Sequence, residues 1–162
     1  MDKLFLFTDG SVNTNSKTGY GAYLAVTDTL DPPESLRKKV RIRRFENTSS
    51  TRLELETLLW ALDEIGGAAK EIIVYTDSQN IMKLRERREG LEKNNYQSGK
   101  NRPLKNSDLY IEFYKMTDKV KCDFIKVRGH MVSHKKDEID ALFTLVDRES
   151  RRALRKLLNQ EI

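Results

Sequence analysis

Apolar and polar residues alternate over short stretches in the first third of the chain and fall mostly at helical spacing afterwards. Lys3 to Thr8 is a short apolar run that ends at Asp9-Gly10-Ser11, a turn signal. Gly19 to Thr27 and Lys39 to Phe45 predict two further strands, separated by the turn-rich stretch Asp28 to Glu34 with Pro32 and Pro33. In the third strand Val40, Ile42 and Arg44 alternate with Arg41, Arg43 and Phe45, the pattern of an edge or half-exposed position.

A helix is predicted to begin at Ser50 or Thr51, either able to cap it. Leu55, Leu58, Leu59, Leu62 and Ile65 follow its period, and Gly66-Gly67 ends it. Glu71 to Thr76 is a compact apolar strand, followed by Asp77-Ser78 and a helix that is heavily charged by Arg85. Tyr96 to Pro103 reads as a polar, basic loop. Ser107 or Asn106 caps a third helix with Leu109, Ile111, Phe113 and Met116 partly buried. Phe124 to Val127 is a fifth strand, and a long amphipathic helix covers about Lys136 to Gln160, its stripe made by Ile139, Leu142, Val146, Ala153 and Leu157.

The order β-β-β-α-β-α-α-β-α implies an antiparallel meander of three strands, with two later strands added in parallel through helical crossovers. The expected fold is α/β: a mixed five-stranded sheet with helices on both faces. No repeat, low-complexity tract or linker divides the 162 residues, so one domain is expected over 1–162.

Charge sharpens this picture. The formal net charge is +5, and Arg85 to Lys105 holds seven basic residues against three acidic ones. A second basic run is Arg148, Arg151, Arg152, Arg155 and Lys156. Such clusters suit polyanions, although a solvated charged face has the same composition. No apolar run could span a bilayer and no secretory signal opens the chain; Cys122 is the single cysteine, as in a reducing compartment. A cytoplasmic location is therefore expected.

Carboxylates carry the candidate chemistry. Asp9 closes the first strand, Glu54 lies in the first turn of the first helix, Asp77 closes the fourth strand, and Asp140 lies in the first turns of the last helix, ten residues after His130. Side chains at the ends of adjacent strands converge on a common crevice. Gathered acids repel one another unless cations neutralise them. An oxygen-only set suits Mg²⁺ or Mn²⁺ rather than Zn²⁺, and Mg²⁺ favours carboxylates together with substrate phosphates. Singly, each acid has a plainer reading as a turn, a cap or a solvated helical residue.

Together, Thr8-Asp9-Gly10-Ser11, Arg52-Leu53-Glu54-Leu55, Thr76-Asp77-Ser78 and Gly129-His130 with Asp140 resemble the motifs of type 1 ribonuclease H, in order and on matching elements, over about Lys3 to Asp147. The resemblance implies an endoribonuclease that cuts the RNA strand of RNA–DNA hybrids and leaves 5′-phosphate and 3′-hydroxyl ends. It implies that Asp9, Glu54, Asp77 and Asp140 hold two Mg²⁺ ions with substrate, Mn²⁺ being a substitute. One ion would activate water and the other would stabilise the departing 3′-oxygen. His130 would assist proton transfer or product release. Ser11, Asn15, Ser49, Ser50, Gln79 and Asn106 fall near substrate-contacting positions, and RNA would be recognised through its 2′-hydroxyls. The segment Arg102 to Leu109 resembles the end of the family's basic protrusion, which would place Arg87, Arg88, Lys100, Arg102 and Lys105 on the DNA strand, with Tyr96 available for stacking. No obligatory protein partner is implied, and a monomer is expected.

The chain departs from the family pattern in the loop Val12 to Thr18, at Ser50, and in a protrusion without tryptophan, Trp60 being the only one. A catalytically silent binding module on the same fold would have lost at least one of the acids. An exonuclease of the wider superfamily would place a second acid where Ser11 stands, and an integrase-like enzyme would end in glutamate rather than Asp140.

Overall fold

The computed structural model describes residues 2–127 and 134–160. Lys3–Asn13 (β1) and Thr18–Val26 (β2) form an antiparallel hairpin, and Arg41–Phe45 (β3) pairs antiparallel outside β2. Glu71–Thr76 (β4) lies parallel to β1, and Cys122–Lys126 (β5) parallel to β4, giving one five-stranded sheet in the order β3-β2-β1-β4-β5. The helices are Pro33–Leu36 (α1), Ser50–Ile65 (α2), Gln79–Lys93 (α3), Ser107–Lys119 (α4) and His134–Gln160 (α5). This is the mixed α/β sheet that the sequence pattern predicts, with a short α1 and a 3₁₀ turn at Arg37–Lys39 added between β2 and β3.

Side-chain alternation along β1 sorts the two cores. Leu4 and Leu6 pack with Leu55, Leu58, Leu62, Ile81, Leu84 and Phe113 beneath α2, α3 and α4. Phe7 faces the opposite side, packing with Leu24 and Tyr75 of the sheet against Leu142 and Val146 of α5. The same alternation places Asp9 and Ser11 on the α5 side.

Asp9 does not end its strand. Pairing continues through Asp9↔Ala22 and Ser11↔Tyr20 to Asn13↔Thr18. Gly10 serves close packing rather than a turn, because a Cβ there would lie 2.8 Å from Leu53 Cδ2 of α2. The chain reverses later, where Asn13 Oδ1 accepts the Asn15 amide at 2.9 Å and Lys17 adopts φ 57°.

Local chemistry fixes the helix starts. The Ser49 hydroxyl, one residue before the expected caps, accepts the Arg52 amide at 3.3 Å and starts α2. Ser78 does the same for α3, accepting from the Ile81 amide at 3.1 Å. At α4 the capping position is Asn106, held at φ 66° without a side-chain cap bond. No helix among the described residues is long and apolar enough to cross a membrane.

Candidate active site

Thr8, Asp9, Glu54, Thr57, Thr76 and Asp77 line one recess between β1, β4 and the start of α2. Adjacent parallel strands bring Asp9 and Asp77 together, and the first turn of α2 brings Glu54 from the opposite face. Ser78 serves two elements: while capping α3 it donates its hydroxyl proton to Glu54 Oε2 at 2.6 Å.

The fourth acid at this recess is Asp147. Its carboxylate hydrogen-bonds the Asp9 carboxyl and acts electrostatically on Asp77. Asp140 does not join them. It lies two turns earlier in α5, about 10 Å along the helix axis, half-buried and without a side-chain hydrogen bond among the described residues. The physical reason is the seat of α5: Leu142 and Val146 pack on Phe7 and Leu24, and Ser150 Oγ lies 3.0 Å from Ser11 Oγ, so the turn carrying Asp147 faces β1. Asp140 and Asp147, two turns apart, lie on nearly the same face of α5, so the sequence pattern offers both, and spacing from His130 favours the earlier one. His130 lies outside the described residues.

The electrostatics record the crowding. Burial, then the hydrogen bond to Asp147, then repulsion from Asp77 push the Asp9 carboxyl up to about 8. Burial raises Glu54, with Asp77 adding to the rise and the Ser78 hydrogen bond opposing it. Burial also raises Asp77; Asp147 adds to the rise, while its own backbone amide and Lys126 oppose it. Thr57 Oγ1, fully buried and packed against Gly21 of β2, has no hydrogen-bond partner among the described residues.

This donor set fits a hard divalent cation. It is all oxygen, and it carries repulsion that a cation would relieve. Among the described residues no three Asp, Glu, His or Cys side chains stand close enough, as they lie, to hold a metal ion together.

Around the recess the other candidates have separate roles. Gln79 Oε1 accepts from Lys126 Nζ at 2.6 Å at the exposed start of α3. Asn106 is buried and accepts from Arg52 at 3.4 Å, while Arg52 makes two bonds, 3.1 and 2.8 Å, to Asp108. Ser50 is exposed on the first turn of α2, and Asn15 is exposed in the β1–β2 turn. Arg87 lies over the Tyr110 ring and Arg88 over Tyr114, both engaged within the protein. Lys100, Arg102 and Lys105 are exposed and make no ion pair among the described residues. Tyr96, at φ 56°, packs near Tyr114.

A family model described as RNase H matches residues 1–146. The chain belongs to the ribonuclease H family. A ribonuclease H of Dechloromonas aromatica is 32% identical over 143 residues, covering 85% of this chain and 88% of that protein. One of Treponema denticola is 29% identical over 145 residues, covering 77% and 84%. The structure of the foamy viral protease-reverse transcriptase in complex with dsDNA matches with a TM-score of 0.64 at 10% identity, over 91% of this chain and 92% of that one, a likeness of fold alone. As a member of the ribonuclease H family the chain is a nuclease, and nucleic acid is its substrate.

Proposed function

We propose that the chain is an endonuclease that hydrolyses the RNA strand of RNA–DNA hybrids, using divalent metal held by Asp9, Glu54, Asp77 and Asp147 and leaving 5′-phosphate and 3′-hydroxyl ends. The observation that carries this reading is the meeting of Asp147 with Asp9 at a recess that Glu54 and Asp77 also line. Asp147 takes the role that motif spacing suggested for Asp140.

A divalent ion, when bound, supplies the positive charge that makes water nucleophilic near neutral pH and offsets charge on the reacting phosphate. The chain's own part is to hold oxygen donors in place and keep them available. Asp9 holds a proton toward Asp147 in the free protein; a bound cation would compete with that proton, so metal binding would strengthen as pH rises. Ser78 fixes the Glu54 carboxylate, and Ser150 on Ser11 fixes the turn that carries Asp147. Gln79, held by Lys126, and Ser11 would meet a minor-groove edge or sugar of the hybrid. His130 keeps its proposed part in proton transfer or product release.

Labelled RNA–DNA hybrid, RNA duplex, DNA duplex and single-stranded RNA, each with Mg²⁺, Mn²⁺ or EDTA, test the activity. Cleavage of the hybrid's RNA strand alone, with either metal and not with EDTA, is expected; cutting in EDTA or of the DNA duplex overturns the reading. Asp147→Asn is expected to lower turnover by about 10²- to 10⁴-fold, the scale for removing a group that acts at the reaction centre. Asp140→Asn is expected to leave turnover near the parent's. The reverse pattern returns the fourth ligand to Asp140.

A further inference from the structure

Beyond Asp147, α5 continues to Gln160, well past the turn that faces Ser11. Its residues sort cleanly by side. Glu149 and Ser150 are buried, and Ala153 and Leu157 are half-buried, on the side toward the sheet. Arg148, Arg151, Arg152, Arg155 and Lys156, spaced i, i+3, i+4, i+7 and i+8, form a continuous exposed stripe on the other side.

Two of these cations serve the inner edges of the stripe: Arg151 Nε lies 3.0 Å from Asp147 Oδ1, and Arg152 lies 3.6 Å from Glu149. Glu149, nearly buried, is also held by Arg37 at 2.6 Å. Arg148, Arg155 and Lys156 meet no carboxylate among the described residues. The stripe thus begins beside an acid of the active site and runs outward along a helix seated firmly on the sheet.

We propose that this stripe is a second phosphate-binding surface for the duplex substrate, separate from the basic stretch around α3. The proposal rests on the hybrid-cleavage reading, because the substrate must reach Asp147. From Asp147 to Lys156 the helix rises about 14 Å, roughly four base pairs of duplex. The contacts are to phosphates, so they add affinity and footprint length without choosing sequence.

The test uses the full chain and a labelled RNA–DNA hybrid in metal-free buffer, where binding is read without cleavage by fluorescence anisotropy over a range of salt. The variant Arg148→Gln/Arg155→Gln/Lys156→Gln is expected to weaken binding and to flatten the plot of log affinity against log salt by roughly two to three units. Shortening the hybrid stepwise from each end is expected to erase the difference between variant and parent once about four base pairs beyond the cleavage position are gone from one side. An unchanged salt slope and unchanged affinity, with circular dichroism showing α5 intact, mean a solvated face and overturn the proposal. A parent chain that cleaves the hybrid while the variant binds as well as it does sinks this inference alone. A parent chain that binds but never cleaves hybrid in Mg²⁺ or Mn²⁺ sinks the functional reading instead.

Discussion

In α3 the Arg88 guanidinium lies 5.0 Å from the Tyr114 ring centre, with its terminal nitrogens on Asp118 at 2.7 and 2.9 Å and its Nε on Glu92 at 2.8 Å. Arg87 covers Tyr110 and Arg85 covers Phe124, the latter also donating to the Cys122 carbonyl. In α5, by contrast, Arg148 and Arg155 meet neither a ring nor a carboxylate among the described residues. Both helices read as basic in the sequence, yet the α3 arginines join α3 to α4 and β5, while the α5 stripe faces outward beside the recess. Counting charges does not separate these uses. Neighbouring aromatic rings and acids do, because a guanidinium already stacked and paired must break those contacts before it can hold a phosphate.

The largest expected effect tests whether the α5 stripe depends on how its helix is seated. Leu142→Ala removes a buried side chain from the face of α5 that packs on the sheet and is expected to cost about 2–5 kcal/mol in urea unfolding. A loss well under that range would mean that the helix is held elsewhere and that the stripe's position is less fixed than Ser11 and Ser150 suggest.

The second effect concerns pH and belongs to the α5 side of the molecule. Asp9 is pushed from 3.8 to about 8 by burial and by Asp147, so the folded chain binds this proton more tightly than the unfolded chain. Between those two values the folded form retains a proton that the unfolded form has lost. The contribution of Asp9 to metal-free stability therefore falls as pH rises through that window and levels off above about 8. Asp9→Asn is expected to flatten that part of the stability–pH curve, and saturating Mg²⁺ to offset the fall. Parallel curves for parent and variant would contradict the coupling to Asp147.

Smaller effects separate the two helices directly. Arg85→Gln removes a cation from the Phe124 face and is expected to cost about 0.5–1 kcal/mol in urea unfolding, with the salt slope of hybrid binding nearly unchanged. A flattened slope with unchanged stability would erase the contrast between α3 and α5. Smallest is Lys100→Gln in the exposed loop, expected to shift stability by less than about 0.5 kcal/mol and to lower the salt slope by a little under one unit if the loop holds one phosphate. Comparing that variant with the α5 triple variant ranks the two surfaces.

Much of this was legible from the chain alone. Short alternating runs and 3.6-residue stripes depend on local contacts, so the order of the main strands and helices along the chain, the bounds of β4 and the apolar face of α2 could be read without a structure. Asp9, Glu54 and Asp77 were legible as a group because the elements that carry them follow from that pattern. The end of β1 was not: Asp9-Gly10-Ser11 has the composition of a turn, and only Leu53 pressing on Gly10 shows why glycine stands within a strand there.

What the tertiary structure alone decided is which turn of α5 faces β1. A long helix presents a similar stripe at every turn, so local spacing cannot rank Asp140 against Asp147. The packing of Leu142 and Val146 on Phe7 and Leu24, with Ser150 against Ser11, ranks them by bringing Asp147 to Asp9. The partners of the arginines were decided in the same way, because Tyr110, Tyr114 and Phe124 lie far from α3 in the sequence and reach it only when α4 and β5 pack beside it.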